Sequence, residues 1–189
     1  MKNSSLFLTC IVMAFTTVAC DDSSSNNNAN NGNNINPVEF CDNVCSKDLE
    51  CDDTTDLAEC KTSCEGMIPL MLETFGTALE TCYDSHTCTE METMDPGCAE
   101  LATAGCDTNV EILVSTMCVK EFECQEITPT QQQIDECTTD MTTSGDWQMM
   151  KCFTQSAISG YTTCIGDVVC ESMDADMDAC GAEHLGMNK

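Results

Sequence analysis

The eighteen cysteines of this 189-residue chain, and above all the intervals between them, restrict its fold more than any other feature. One stretch runs Cys41-x3-Cys45-x5-Cys51-x8-Cys60-x3-Cys64 and then Cys82-x5-Cys88-x9-Cys98. A second stretch runs Cys118-x5-Cys124-x12-Cys137 and then Cys164-x5-Cys170-x9-Cys180, with Cys106 and Cys152 in addition. The residues between agree as well: Cys45-Ser-Lys-Asp-Leu-Glu-Cys51 lies over Cys118-Val-Lys-Glu-Phe-Glu-Cys124. Self-similarity of this kind marks a repeat. Cysteine at this density, 18 of 189 residues, reaches the level, about 8–10%, that marks a disulfide scaffold in exported chains. A reducing cytosol would leave such thiols unpaired or metal-bound, whereas an oxidising compartment pairs them.

Between the cysteines the sequence reads as helix. Cys41 with Cys45, and Cys60 with Cys64, stand four apart, so each pair shares one helical face. Asp56 with Glu59, and Thr130 with Gln133, have the spacing of a capping box. Gly66 followed by Pro69 suits one helix stopping and the next beginning. Ile68, Met71, Leu72, Phe75, Leu79 and Cys82 form a helical stripe, matched by Trp147, Met150, Thr154, Ala157, Tyr161 and Cys164. Alternating β-branched runs are absent, so almost no strand is expected. The expectation is an all-α fold of two related, disulfide-stapled modules, residues 37–100 and 101–189, each built on a helical hairpin.

Two antiparallel helices carrying CxxxC pairs join outer to outer and inner to inner, giving Cys41–Cys64 and Cys45–Cys60. Aligning Cys118 on Cys45 and Cys137 on Cys60 places Val114 where Cys41 stands and Met141 where Cys64 stands. Both members of the outer pair are then missing together, which leaves Cys118–Cys137 as the inner bond. For the rest, Cys51–Cys88 with Cys82–Cys98 is preferred, and by repeat Cys124–Cys170 with Cys164–Cys180. The rival, Cys51–Cys82 with Cys88–Cys98, is nearly as good. Cys152 points away from the apolar stripe of its expected helix, so a Cys106–Cys152 bond should strap the entry segment onto that helix's outer face.

The start of the chain has its own logic. Lys2 precedes an apolar run of 14 residues from Leu6 to Ala19. That is short of the roughly 20 residues a bilayer span needs, and fits a signal peptide core. The ending Thr17-Val18-Ala19-Cys20 resembles the bacterial lipobox, in which the Cys is acylated and becomes the new N-terminus. The usual Leu three residues before the Cys is Thr17 here, so ordinary cleavage after Ala19 stays open. Parity favours lipid: with Cys10 removed and Cys20 acylated, an even number of cysteines remains. The expected division is a signal peptide at 1–19 and a lipidated Cys20 with a Ser/Asn-rich tether at 20–36. Such a tether cannot bury itself and spans about 20–24 Å root-mean-square.

Charge narrows the functions. The chain has 33 acidic residues against 6 lysines, no arginine, and a net charge of −27. This excludes nucleic acid as a partner, since binding it needs cations to displace counterions from phosphates. It excludes docking on anionic lipid through a basic patch as well. Solubility and mutual repulsion between copies account for the acidity, and capture of Ca²⁺ or of a cationic partner is the sharper alternative.

Candidate chemistry is sparse. His86 and His184 are the only histidines, and each reads as a solvated surface residue beside acids. No GxSxG, HExxH or phosphate-binding glycine loop occurs, and no CxxC that would favour zinc. With every mature cysteine oxidised no thiol nucleophile remains, so no catalytic residue is assigned, no enzyme is expected and no cofactor is implied. Asp174, Asp176 and Asp178 have the spacing that opens a calcium loop, but Ala179 stands where its glycine belongs and Leu185 where its bidentate Glu belongs. An acidic helix ending at Cys180 is the better reading. Met149-Met150 and Met173-x3-Met177 are the candidates for soft copper, against the commoner use of Met as core filler.

Taken together, the lipobox-like start, the Ser/Asn-rich tether and the repeated CxxxC helical modules resemble the Cys-rich exported lipoproteins of social and predatory Gram-negative bacteria. The resemblance covers nearly the whole chain and rests on spacings. It implies an envelope-anchored structural or interaction protein at the outer membrane or cell surface. Its contacts would be the membrane, through the lipid, and an unknown protein or cationic partner. The alternative is an acidic, Met-rich module binding Ca or Cu. Cys41-x3-Cys45-x14-Cys60-x3-Cys64 alone is also similar to the twin CX3C hairpin of small intermembrane-space chaperones, a motif the second copy lacks.

Overall fold

A computed structural model describes residues 35–94, 96–143 and 147–187. The expected signal peptide, the expected lipidation site Cys20 and nearly all of the expected tether lie outside the described residues. Pro37, whose fixed φ and missing N–H suit a first helical position, opens α1 (Pro37–Cys51). It is followed by α2 (Leu57–Met67), α3 (Glu73–Ser85) and two short helices, α4 (Cys88–Thr93) and α5 (Cys98–Ala102). The second half repeats the order with α6 (Glu111–Cys124), α7 (Gln131–Thr143), α8 (Gln155–Asp167) and α9 (Met173–Leu185). Among the described residues there is helix and no strand, in keeping with the absence of alternating β-branched runs.

Each hairpin is closed by the bonds its cysteine spacing suggests. Cys41–Cys64 and Cys45–Cys60 join α1 to α2 at Cα separations of 5.7 and 5.8 Å. Cys118–Cys137 joins α6 to α7 at 6.1 Å. Caps fix where α2 and α7 begin. The Asp56 carboxylate accepts from the backbone N–H groups of Ala58 and Glu59, satisfying two donors that a helix start leaves open. At Thr130 the box is reciprocal: Gln133 N–H donates to the Thr130 hydroxyl, and the Gln133 side chain accepts from Thr130 N–H at 2.9 Å. Of the two boxes expected from the sequence only that at Thr130 is reciprocal, Asp56 capping from its own side chain alone, and a further full box, Thr87 with Glu90, starts α4. Its Thr-x-x-Glu signature is plain in the sequence.

The two apolar stripes are not single helices. Ile68–Leu70 and Met149–Cys152 are 3₁₀ turns, Met71 and Phe153 are extended, and α3 and α8 begin only at Glu73 and Gln155. The cause is tertiary. Met71 and Phe153 pair with each other as an isolated antiparallel bridge. Leu72 N–H donates to Cys152 C=O at 2.6 Å, and Thr154 N–H to Leu70 C=O at 2.7 Å. An extended residue making such a bridge cannot also be helical. Met71 and Phe153 stand at the same offset from Cys82 and Cys164, so corresponding residues of the two halves meet. Both are fully buried.

One contiguous core runs through both halves, with Phe40, Ile68 and Phe75 from the first and Leu113, Val114, Ile158, Ile165 and Leu185 from the second. Every buried side chain among the described residues is apolar or a cysteine. The acids therefore remain at the surface, as the cost of burying an unpaired charge requires. Two expectations change here. Helix α9 does not end at Cys180: Leu185 is buried, and the helix stops at Gly186, whose φ of 67° is left-handed. A Cβ at Gly186 would lie 2.4 Å from the carbonyl oxygen of Gly66, so this turn packs the end of α9 onto the end of α2. Ile35, within the 20–36 segment expected to bury nothing, instead fills the notch above Gly76 with its side chain and touches the core.

Candidate functional site

Of the remaining disulfides, one in each half ties the hairpin to the element after its third helix, and one ties that third helix to the helix beyond that element. Cys51–Cys88 and Cys82–Cys98 tie α4 and α5 to the hairpin and to α3, the preferred arrangement and not its rival. Cys124–Cys170 and Cys164–Cys180 do the same in the second half. Cys106–Cys152 is formed, yet it is no strap on an outer face. Because α8 begins after Cys152, the helical wheel that turned this residue outward does not apply. Cys152 is fully buried in the 3₁₀ turn beside the Met71–Phe153 bridge. The segment leading into α6 lies along the same turn, with Thr108 N–H on Lys151 C=O at 3.1 Å and the Thr108 hydroxyl on Phe153 C=O at 2.6 Å.

Lysines do not gather into a basic patch among the described residues. Lys47, Lys61 and Lys120 are held by Glu50, Asp42 and Glu123, each a local neutralisation on an acidic surface. Lys151 donates to the Gln148 amide at 3.3 Å. It borders a solvent-open polar cleft of about 450 Å³ with Asp107, Thr108, Glu111 and Thr138. The Thr138 hydroxyl oxygen is buried there without a hydrogen-bond partner.

Asp174, Asp176 and Asp178 sit on the first turns of α9, with Asp176 accepting from the Ser172 hydroxyl at 2.6 Å. A helical backbone spaces these carboxylates around the helix and supplies no loop to wrap a calcium ion. Asp178 faces Tyr161 instead, and burial together with that charge pushes the phenol pKa up. Met150 is buried core, and Met149, Met173 and Met177 pack against the core, which is the adaptable filler role. His184 lies over Gly160, where a Cβ would meet its Nδ1 at 2.8 Å.

Two polar arrangements are not apparent from the sequence. Asp48 on α1 accepts a hydrogen bond from Tyr83 on α3 in a half-buried setting. Burial raises the Asp48 pKa despite the phenol, and burial together with the Asp48 charge raises that of Tyr83. The other arrangement is Cys82, His86 and Cys98, whose ligand atoms all lie within 4.8 Å of one another. With Cys82 and Cys98 bonded to each other, no thiolate is on offer in this oxidised form. Cys82 and His86 stand four apart, a spacing visible in the sequence; their approach to Cys98 is not.

What these features define is an all-α, disulfide-stapled protein with an acidic exterior and an apolar interior. No family model, no curated protein and no solved structure matches the chain.

Proposed function

We propose that this chain is an exported lipoprotein of a bacterial envelope, anchored through Cys20, whose internally duplicated helical body serves as a rigid structural or interaction module. The observation that carries this reading is the framework itself. Among the described residues eight disulfides join the elements, and no residue of the buried core is polar or charged. Such a body is built for persistence outside the reducing cytosol. Its acids are left to the surface, where they repel other copies and attract cationic partners. Among the described residues no helix is long and apolar enough to cross a membrane, so attachment would rest on the lipid. Stable anchoring then takes two acyl chains or more.

The test has two arms. Cells fed a labelled fatty acid should incorporate it into the wild-type chain and not into Cys20→Ser, and the variant should leave the membrane fraction. Retention of the variant with membranes, together with an unlabelled wild type, would refute the anchor. For the body, crosslinking in whole envelopes should yield discrete partner adducts that high salt weakens, as expected of an acidic contact surface. Titration of the oxidised protein with Ca²⁺ and Cu⁺ tests the metal alternative. Stoichiometric heat from either ion would displace the interaction reading.

A further inference from the structure

The duplicated halves agree in their cores and differ on one outer face. With Cys118 laid over Cys45, Leu113, Val114 and Met117 stand where Phe40, Cys41 and Val44 do, all packed in the core. On the opposite face of the helix the first half is polar, with Glu39, Asp42 and Ser46. The second half has Ile112, Ser115 and Val119 in those places. Ile112 is 73% exposed, more than any other large apolar side chain among the described residues. The change continues on α8, where laying Cys164 over Cys82 puts Gly166 in the place of Asp84. Ile112, Val119 and Gly166 share a solvent-open groove of about 400 Å³ between α6 and α8. Neither backbone nor packing calls for this glycine. It lies within α8 without a positive φ, and a Cβ there would meet nothing within 4 Å. Glycine also weakens a helix relative to alanine. What the missing side chain does is leave the groove open.

We propose that the groove between α6 and α8 docks a cationic amphipathic helix of a partner protein. Ile112 and Val119 are two turns apart, about 10.5 Å along the axis, and Thr116 between them adds a methyl group to the same face. A helix laid along α6 would meet them with apolar residues at i, i+4 and i+7, the spacing by which amphipathic helices enter grooves. The rim supplies the charge. Glu111 stands at one end and Glu123 at the other, about 18 Å apart, and Asp167 follows Gly166. Lys120, the lysine of the lining, is held by Glu123 at 3.1 Å, an ion pair that Lys47 and Glu50 repeat in the first half. Glu111 and Asp167 have no ion-pair partner among the described residues.

That rim, on a chain of net charge −27, selects the occupant. A second copy would bring like charge to the contact. An anionic lipid surface is repelled in the same way. Lys or Arg flanking an apolar stripe is the complement, since opposite potentials across a contact speed the encounter and reject wrong partners. The groove rests on the interaction reading above and names the kind of partner it takes; it does not need the lipid anchor.

The probe is a synthetic helical peptide of about four turns, with Leu at i, i+4 and i+7 and Lys at the flanking positions. It is titrated onto the oxidised full chain by fluorescence anisotropy at about 0.15 M salt, where exposed charges are screened beyond about 8 Å. One peptide per chain should bind, and a photoreactive residue at its centre should crosslink to α6. Ile112→Glu and Gly166→Asp give the groove the residues of the first half, so both variants should fold with unchanged helical circular dichroism. Each adds negative charge, which would tighten a purely electrostatic contact with the peptide. Docking in the groove predicts the reverse. Ile112→Glu should weaken binding at least about 10-fold through the lost burial of one aliphatic side chain, and Gly166→Asp should weaken it by filling the groove. A peptide of the same composition with its Leu residues scattered round the helix should bind the wild type as weakly. The proposal is overturned if the first peptide does not bind, if either variant binds it as tightly as the wild type, if the crosslinks map elsewhere, or if sedimentation shows that a second copy fills the groove. Partner adducts in envelopes that Ile112→Glu leaves unchanged would remove the groove and keep the interaction reading.

Discussion

At the scale of single residues, two side chains carry information that pattern reading does not reach. Asp48 is the clearer case. Burial raises its pKa, so the folded state holds the proton more tightly than the unfolded chain does. Its contribution to stability is thus fully present below the unfolded carboxylate value and is lost as pH rises through the raised folded value. At neutral pH the charged form is a liability. Asp48→Asn keeps an acceptor for the Tyr83 hydroxyl and removes that charge. Thermal unfolding at pH 7 should show a gain of less than about 1 kcal/mol, at most about 2–4 °C for a chain of this size. The gain should shrink as the pH is lowered. A loss of stability at pH 7 would mean that the charged hydrogen bond outweighs desolvation. Gly186 is the opposite kind of position. Its φ of 67° and its approach to the Gly66 carbonyl leave no room for a Cβ. Gly186→Ala should cost about 1–3 kcal/mol in denaturant unfolding, the usual range for forcing a side chain into a strained backbone region.

Among the elements, the hairpins are legible in the sequence because the constraint on them is local. CxxxC puts two sulfurs on one helical face, and two such helices have one sensible way to join. The places of Val114 and Met141 come from the same alignment. Val114 is completely buried, and Met141 lays its Sδ 3.5 Å from Cys118 Sγ and 3.9 Å from Cys137 Sγ, directly on the inner disulfide. Illegible are the breaks at Met71 and Phe153. Periodicity cannot tell a continuous helix from a 3₁₀ turn with an extended residue when the bridge partner lies in the other half of the chain. The same failure misplaces Cys152, since its outward direction is read from a helix that does not exist there. The Cys82, His86 and Cys98 group is hidden for a related reason: a spacing of four shows two of its members, and only the packing of α5 against α3 brings the third. The hairpin alignment yields a sharp expectation. Val114→Cys with Met141→Cys should form a new disulfide under oxidising conditions, matching Cys41–Cys64 of the first half. Closing a loop of about 28 residues should add of order 3 kcal/mol, less the lost packing and any strain. Free thiols at both positions of a folded double mutant would break the alignment.

For the molecule as a whole, the disulfides and the charge act against each other. A domain is stable by only about 5–15 kcal/mol, while each disulfide typically contributes about 2–4 kcal/mol. Removing all eight exceeds any plausible surplus even without strict additivity. The net charge of −27 then decides what the reduced chain becomes. A weakly charged chain with this apolar content would collapse or aggregate, whereas strong self-repulsion favours expansion. In excess reductant at low salt, small-angle scattering of the tether-free body should therefore show the radius of gyration rising from about 15 Å to about 40 Å for about 150 residues. Salt offers the control, because the screening length falls from about 10 Å at 0.1 M to about 3 Å at 1 M. Added NaCl should contract the reduced chain and raise the Tm of the oxidised one. A reduced protein that keeps a compact radius and a cooperative thermal transition would show that the apolar core joining the two halves holds the fold without its bonds.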